Sequence, residues 1–178
     1  RKLGFPIDSF IVAFCGSFDE TKGSLRLSDA IEKLNDTDIK TIFIGSGKDI
    51  PNCKGILFCG FLPHTEIADY LNCADVFVLP TLAEGSSNAI AEAIACGLPV
   101  ISSDRPFNYD ILNQTNSILI DPTNIDEIAE AIKKIKNDDV LRGKLKKGAE
   151  NFSNEISLKV RAQKILKMIE NENKNKLE

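Results

Sequence analysis

From Asp75 to Asp104 the chain reads DVFVLPTLAEGSSNAIAEAIACGLPVISSD. Asp75–Pro80 is an apolar run of strand length that stops on proline. Asn88–Gly97 repeats alanine and isoleucine at helical spacing and closes on a glycine, the usual C-terminal stop of a helix. Leu98–Asp104 is again short, apolar and β-branched. Strand, helix and strand in this order make a βαβ unit, whose two strands lie parallel.

The same alternation extends in both directions. Upstream come FIVAFCG (Phe10–Gly16), TIFIGSG (Thr41–Gly47) and GILFCG (Gly55–Gly60), each apolar and each ending on glycine. Leu27, Ala30, Ile31 and Leu34 recur at helical spacing and predict a helix from about Ser24 to Leu34. Ile67, Ala68, Leu71 and Ala74 mark a second amphipathic helix, preceded by the cap-like Pro63–Glu66. Downstream, SILI (Ser117–Ile120) is a sixth strand, followed by two or three helices from about Asn124 to Glu172. Strands apolar on both faces, with helices between most pairs, predict an α/β fold: a Rossmann-like, doubly wound parallel sheet of about six strands covered on both faces. Residues 1–178 fit one domain, with 155–178 expected as a C-terminal helix and frayed tail. Ligands of such sheets bind beyond the C-terminal strand ends, so the loops after the strands are where functional residues are expected.

Composition removes several function classes. Hydrophobic residues make up 43% and charged residues 27%, which places the chain among globular domains. Its net charge of −4 gives no broad basic footprint for nucleic acid. No apolar run reaches the length of a membrane helix, and RKLGFPIDSF is not a signal peptide. The five cysteines include no C-x-x-C pair, and Cys15, Cys59 and Cys96 sit in apolar runs as buried, reduced thiols would. With His64 the only histidine, a zinc site has no ligand set. Lys133–Lys147 holds seven basic residues against two aspartates, a solvated helix face or a weak contact for an anionic surface.

Two nucleotide motifs are absent. Gly45-Ser46-Gly47-Lys48 has Ile42 where a P-loop needs glycine and Asp49 where it needs serine or threonine. A dinucleotide fingerprint would need glycine at Ile50. What remains is a tight turn whose glycines allow close approach to the backbone. Lys22, in the loop Gly16–Gly23 after the first strand, stands where a phosphate would lie; taken alone it is equally a solvated loop lysine. Glu84 and Glu92 are eight residues apart. On one helix that offset is about 80° of rotation and about 12 Å of rise, too far for one small ligand. With Glu84 ahead of the helix and Glu92 one to two turns inside, the loop between can bring both to one cleft. Gly85 to Asn88 then present capping side chains and free N–H groups to an anion. Carboxylates beside an anion site suit a ligand that also carries neutral hydroxyls, as a nucleotide sugar does.

The ordered set Lys22-Gly23, Gly45-Ser46-Gly47, Phe58–Leu62, Ala74–Pro80, Glu84-Gly85 with Glu92-Ala93, Ala95–Val100 and Ser102–Asp104 resembles the C-terminal, donor-binding domain of a GT-B-fold retaining glycosyltransferase of group 1, family 4. The match is colinear from about Phe10 to Ile132. This resemblance implies transfer of a sugar from a nucleotide diphosphate sugar to a glycan or lipid-linked acceptor, with no cofactor and no metal. It implies catalytic roles for Lys22, which would neutralise the diphosphate, and for Glu84, which would contact the transferred sugar. Glu92 would bind the ribose, and Gly60, Phe61, Leu62 and His64 would line the base pocket. Gly16, Ser17, Gly45, Gly47, Gly85, Ser86, Ser87, Asn88 and Ala89 complete the implied nucleotide-sugar site. The resemblance further implies an acceptor-binding N-terminal domain absent from this chain, an inactive fragment, and a cytoplasmic enzyme of polysaccharide or glycolipid synthesis. Peripheral association of the full-length enzyme with the inner membrane face is an open reading.

Several positions depart from the family pattern. The usual arginine after the Gly16 equivalent is Ser17, which removes one phosphate cation unless Lys48 or Arg105 replaces it. Ser86 and Ser87 stand where aromatic residues or proline are common, and Arg105–Asn108 where Gly-Gly is common. Asp104 and Asn88 read as loop or helix caps as readily as ligand contacts, and His64 as a cap or surface residue. A GT-B-like nucleotide-sugar 2-epimerase and a non-catalytic nucleotide-sugar-binding module are the alternatives.

Overall fold

The computed structural model describes residues 3–85, 87–153 and 166. The strands are β1 (Phe10–Cys15), β2 (Ile39–Ile44), β3 (Ile56–Gly60), β4 (Val76–Leu79), β5 (Val100–Ser103) and β6 (Ser117–Ile120). The helices are α1 (Ser24–Leu34), α2 (His64–Leu71), α3 (Asn88–Ala95), α4 (Ile125–Asn137) and α5 (Asp139–Ser153). All six strands are parallel, in the order β3-β2-β1-β4-β5-β6. This is the doubly wound arrangement, and its order reverses between β1 and β4.

The reversal follows from handedness. β1–α1–β2 winds one way along the sheet and β4–α3–β5 the other, so right-handed crossovers place α1 and α3 on opposite faces. α4 packs on α1 and α5 on α3, which covers both faces. Ile11, Val12, Ala13 and Phe14 of β1 and all of β4 are buried, as strands in the middle of such a sheet must be. α4 is capped by Asn124, whose side chain accepts from the Asp126 and Glu127 amides. Ion pairs Lys33–Asp126 and Lys136–Asp36 then tie α4 to α1 and to the residue just beyond its C-cap.

Some boundaries differ from the sequence expectation. β2 starts at Ile39, because Ile39 pairs with Phe10 in the ladder. α2 starts at His64 rather than Ile67, with Pro63 as its N-cap. Pro106–Asn108 forms a 3-10 turn that no periodicity announced. β3 was expected to be buried on both faces, but it is an edge strand and only partly covered. Cys59 is therefore exposed rather than buried, while Cys53 and Cys73 are the enclosed thiols. The expected helix at 155–172 and the frayed tail lie outside the described residues. Among the described residues no helix is long and apolar enough to cross a membrane.

Candidate functional site

At the reversal point the loops after β1 and β4 face each other. The loop after β1 is anchored by Phe18, whose buried ring lies 6.2 Å from that of Phe14. Asp19 then turns the chain: its Oδ1 accepts from the Lys22 amide at 2.9 Å and its Oδ2 from the Ser17 hydroxyl at 2.5 Å. These hydrogen bonds, Ser17's first, hold the Asp19 carboxyl below its ordinary range. Gly23 ends the turn at φ 78°. A Cβ there would stand 2.7 Å from the carbonyl oxygen of Pro80, so the close approach of the two loops needs glycine.

Across the gap, Lys22 Nζ donates to Glu84 Oε1 at 2.7 Å. Glu84 is nearly enclosed, with 8% of its side chain exposed, and Lys22 retains 25%. Leu82 N donates to the Thr21 carbonyl at 2.8 Å and joins the two loops again. The Glu84 loop is also held from below. Ser102 and Ser103 at the end of β5 donate to the carbonyls of Leu79 and Thr81 at 2.7 and 2.5 Å. Asn108, buried behind them, donates to the Ser103 carbonyl at 2.8 Å. The Thr81 hydroxyl donates to the Ala83 carbonyl at 3.0 Å. A loop whose carbonyls are pinned one after another holds its carboxylate without reorganising.

Glu84 precedes α3 and Glu92 is the fifth residue of that helix, as the loop-then-helix reading required. They take different partners: Glu92 Oε1 lies 2.9 Å from His64 Nε2. Its charge also reaches Cys15 at the end of β1. Burial, helped by that charge, pushes the Cys15 thiol up to about 11. Ser87 caps α3 by accepting from the Ile90 amide at 3.3 Å. The amides of Asn88 and Ala89 precede the first intrahelical bonds of α3, at the end of the helix that favours anions.

The remaining predicted positions are less uniform. The Lys22 stem passes over Gly16, whose added Cβ would be in ordinary contact with it. A Cβ at Gly45 would stand 1.9 Å from the Gly16 carbonyl oxygen, and one at Gly47 2.2 Å from that of Phe18. The close approach at both glycines is made by the loop after β1, which pairs with them as a continuation of the ladder. A Cβ at Gly60 would be in ordinary contact with the Phe58 ring at 3.7 Å, one at Gly85 would meet nothing among the described residues, Phe61 is 75% exposed and Leu62 is buried. Ser86 lies outside the described residues. Arg105 approaches Asp121 at 3.7 Å, and Asp104 accepts from the Tyr109 hydroxyl at 2.9 Å. Among the described residues no three His, Cys, Asp or Glu side chains converge as a metal site would need. Asp19, Arg26, Ser102, Ser103 and Asn108 have structural roles here that their residue types did not announce. Asp19, Ser102, Ser103 and Asn108 lie in stretches singled out by sequence, whereas Arg26 sits on a helix with no separate signal.

A profile described as "Glycosyl transferases group 1" matches residues 9–138. TuaC of Bacillus subtilis (strain 168), which carries a provisional name as a teichuronic acid biosynthesis glycosyltransferase, is 34% identical over 142 residues, 79% of this chain and 36% of that protein. Anabaena Alr3699/HepE, solved with UDP and glucose, superposes with a TM-score of 0.81 at 18% identity over 95% of this chain and 50% of that one. The C-terminal domain of a group 1 family protein (LpcC) of Francisella tularensis superposes with a TM-score of 0.71 at 21% identity, covering 83% and 85%. The chain spans less than half the length of the curated relatives it matches. By the extent of the profile match and by its sheet, this chain belongs to the group 1 glycosyl transferases and has the fold of the C-terminal half of a GT-B enzyme.

Proposed function

We propose that this chain is the donor-binding half of a retaining glycosyltransferase that moves a sugar from a nucleotide diphosphate sugar to a glycan or lipid-linked acceptor. The observation that carries the reading is the Lys22–Glu84 pair, held by two loops across the switch point of the sheet. Lys22 neutralises the diphosphate, and the α3 N-terminus takes its remaining charge without a metal ion. Glu84 accepts from hydroxyls of the transferred sugar, and Glu92 from the ribose. Gly60, Phe61, Leu62 and His64 line the base. HepE, whose fold this chain shares, has been solved with UDP and glucose, which makes UDP-sugars the first donors to try.

Donor binding requires only this half, whereas transfer requires an acceptor domain over the same face. Ile50, Phe61, Leu82 and Tyr109 are exposed on loops that follow β2 to β5, around the charged centre, which suits burial against such a domain. The test is calorimetric titration of the chain with uridine, guanosine and adenosine diphosphates and their sugars. Saturable binding of one base, lost in Lys22→Ala and Glu92→Ala, is the expected result. Binding of none would favour a non-catalytic module, and efficient transfer by the chain alone would overturn the division of labour.

A further inference from the structure

Arg26 is not among the motif residues quoted above, yet it touches both loops of the proposed donor site. It lies in the first turn of α1, just after Gly23. Its Nη1 donates to the Glu20 carbonyl at 2.8 Å, in the loop that carries Lys22. Its Nη2 donates to the Pro80 carbonyl at 2.8 Å, in the loop that carries Glu84. The guanidinium passes through the gap left by the missing side chain of Gly23, where a Cβ would stand 2.6 Å from Nη2. Its Nε is enclosed without a partner among the described residues. An enclosed unpaired donor is a cost that an apolar side chain at this position would avoid. The two-pronged planar fork is what an apolar residue, or a lysine, could not supply.

We propose that Arg26 is a positioning residue for the sugar diphosphate: its fork sets the spacing of the two loops at which Lys22 and Glu84 meet. The role rests on the donor-binding reading above. It has a consequence that simple structural support lacks. In that reading Lys22 and Glu84, on the two loops that Arg26 joins, take the diphosphate and the sugar, with the α3 N-terminus taking the rest of the phosphate charge. Ribose and base are placed by Glu92 on α3 and by the loop after β3, to neither of which Arg26 donates a hydrogen bond among the described residues. Loosening the fork therefore costs affinity for a sugar diphosphate and spares a nucleoside monophosphate.

The experiment titrates the chain, Arg26→Ala and Arg26→Lys with UDP-glucose, GDP-mannose and ADP-glucose and with UMP, GMP and AMP. Amide exchange of Leu82, which donates to Thr21, is followed in parallel. In Arg26→Ala the sugar diphosphate that binds the wild type is expected to lose about tenfold in affinity, as misplaced charged contacts do. The matching monophosphate keeps its affinity, and the Leu82 amide exchanges faster while those of Ala13 and Val78 do not. Arg26→Lys, which reaches one carbonyl, falls between and keeps the test decisive if the alanine variant folds poorly. Unchanged sugar-diphosphate affinity in both variants, or equal losses for monophosphate and sugar diphosphate, would overturn the positioning role. If the wild type binds none of the six ligands, the donor-binding reading itself fails, and the role falls with it.

Discussion

Glu84→Gln should make the chain a tighter binder of a bare nucleoside diphosphate. In the resting site Lys22 is already neutralised by Glu84 at 2.7 Å. A diphosphate that recruits Lys22 must draw it from a carboxylate that is only 8% exposed. Exposed ion pairs contribute about 0.2–1 kcal/mol, and breaking a fully buried pair costs about 3–5 kcal/mol. With one partner nearly enclosed and the other a quarter open, about 1.5–2 kcal/mol is the fitting scale. Glutamine keeps the shape and one acceptor oxygen but not the charge. Most of that competition then disappears, and nucleoside diphosphate affinity should rise about 10- to 30-fold. The sugar donor gains less, because it loses the contact that Glu84 is proposed to make with it. Calorimetry of the variant with a nucleoside diphosphate and its sugar, at about 0.15 M salt to hold screening constant, reads both quantities. Weaker diphosphate binding in Glu84→Gln, or equal gains for both ligands, would refute the reasoning. The stability cost should be lopsided. Lys22→Met leaves an enclosed carboxylate without a counterion and should lower Tm by about 4–8 °C, for a cost of about 2 kcal/mol. Glu84→Gln leaves a lysine that water can still reach and should change Tm less.

Two further outcomes follow from packing and burial. Gly45→Ala would drive a Cβ to within 1.9 Å of the Gly16 carbonyl oxygen and should cost more than about 3 kcal/mol in urea unfolding. Gly85→Ala, with nothing within 4 Å among the described residues, should stay within about 0.5 kcal/mol; similar costs at the two sites would contradict the packing of the β1 and β2 loops. Burial holds the Cys15 proton up to about pH 11, whereas an unfolded thiol releases it near 8.5. As pH rises through that window the unfolded chain loses a proton that the folded chain keeps, so stability falls by about 2–3 kcal/mol. Urea midpoints at pH 8 and pH 10.5 should therefore drop more for the wild type than for Cys15→Ala; parallel drops would show that Cys15 is not the group responsible.

The fold was legible because each central strand carries its own evidence. FIVAF and VFVL are apolar without alternation, and only strands buried on both faces read that way. GILFCG has the same composition but forms the edge strand. Position in a sheet is a property of partners, and composition does not record it, which is why Cys59 was expected inside. At the candidate site, the order of Lys22, Glu84 and Glu92 along the chain sufficed to place them after strands and on a helix. By sequence alone Ser17 is a missing cation. In the structure its hydroxyl is turned to Asp19, which shapes the turn that presents Lys22. Nothing local distinguishes those two uses of a serine.

The chain order of apolar runs, glycines and carboxylates was enough to determine a doubly wound parallel sheet and the three charged residues beyond the C-terminal ends of its strands. Periodicity and loop position are local properties, written within a few residues. Only the tertiary structure decided that Lys22 meets Glu84 across 62 residues of sequence, that Glu92 meets His64 across 28, and that Arg26 joins the two loops. The Lys22–Glu84 and Arg26–Pro80 contacts arise where the sheet order reverses between β1 and β4 and brings loops distant in sequence together. The pairing of charges across that gap is set by geometry that no single segment contains.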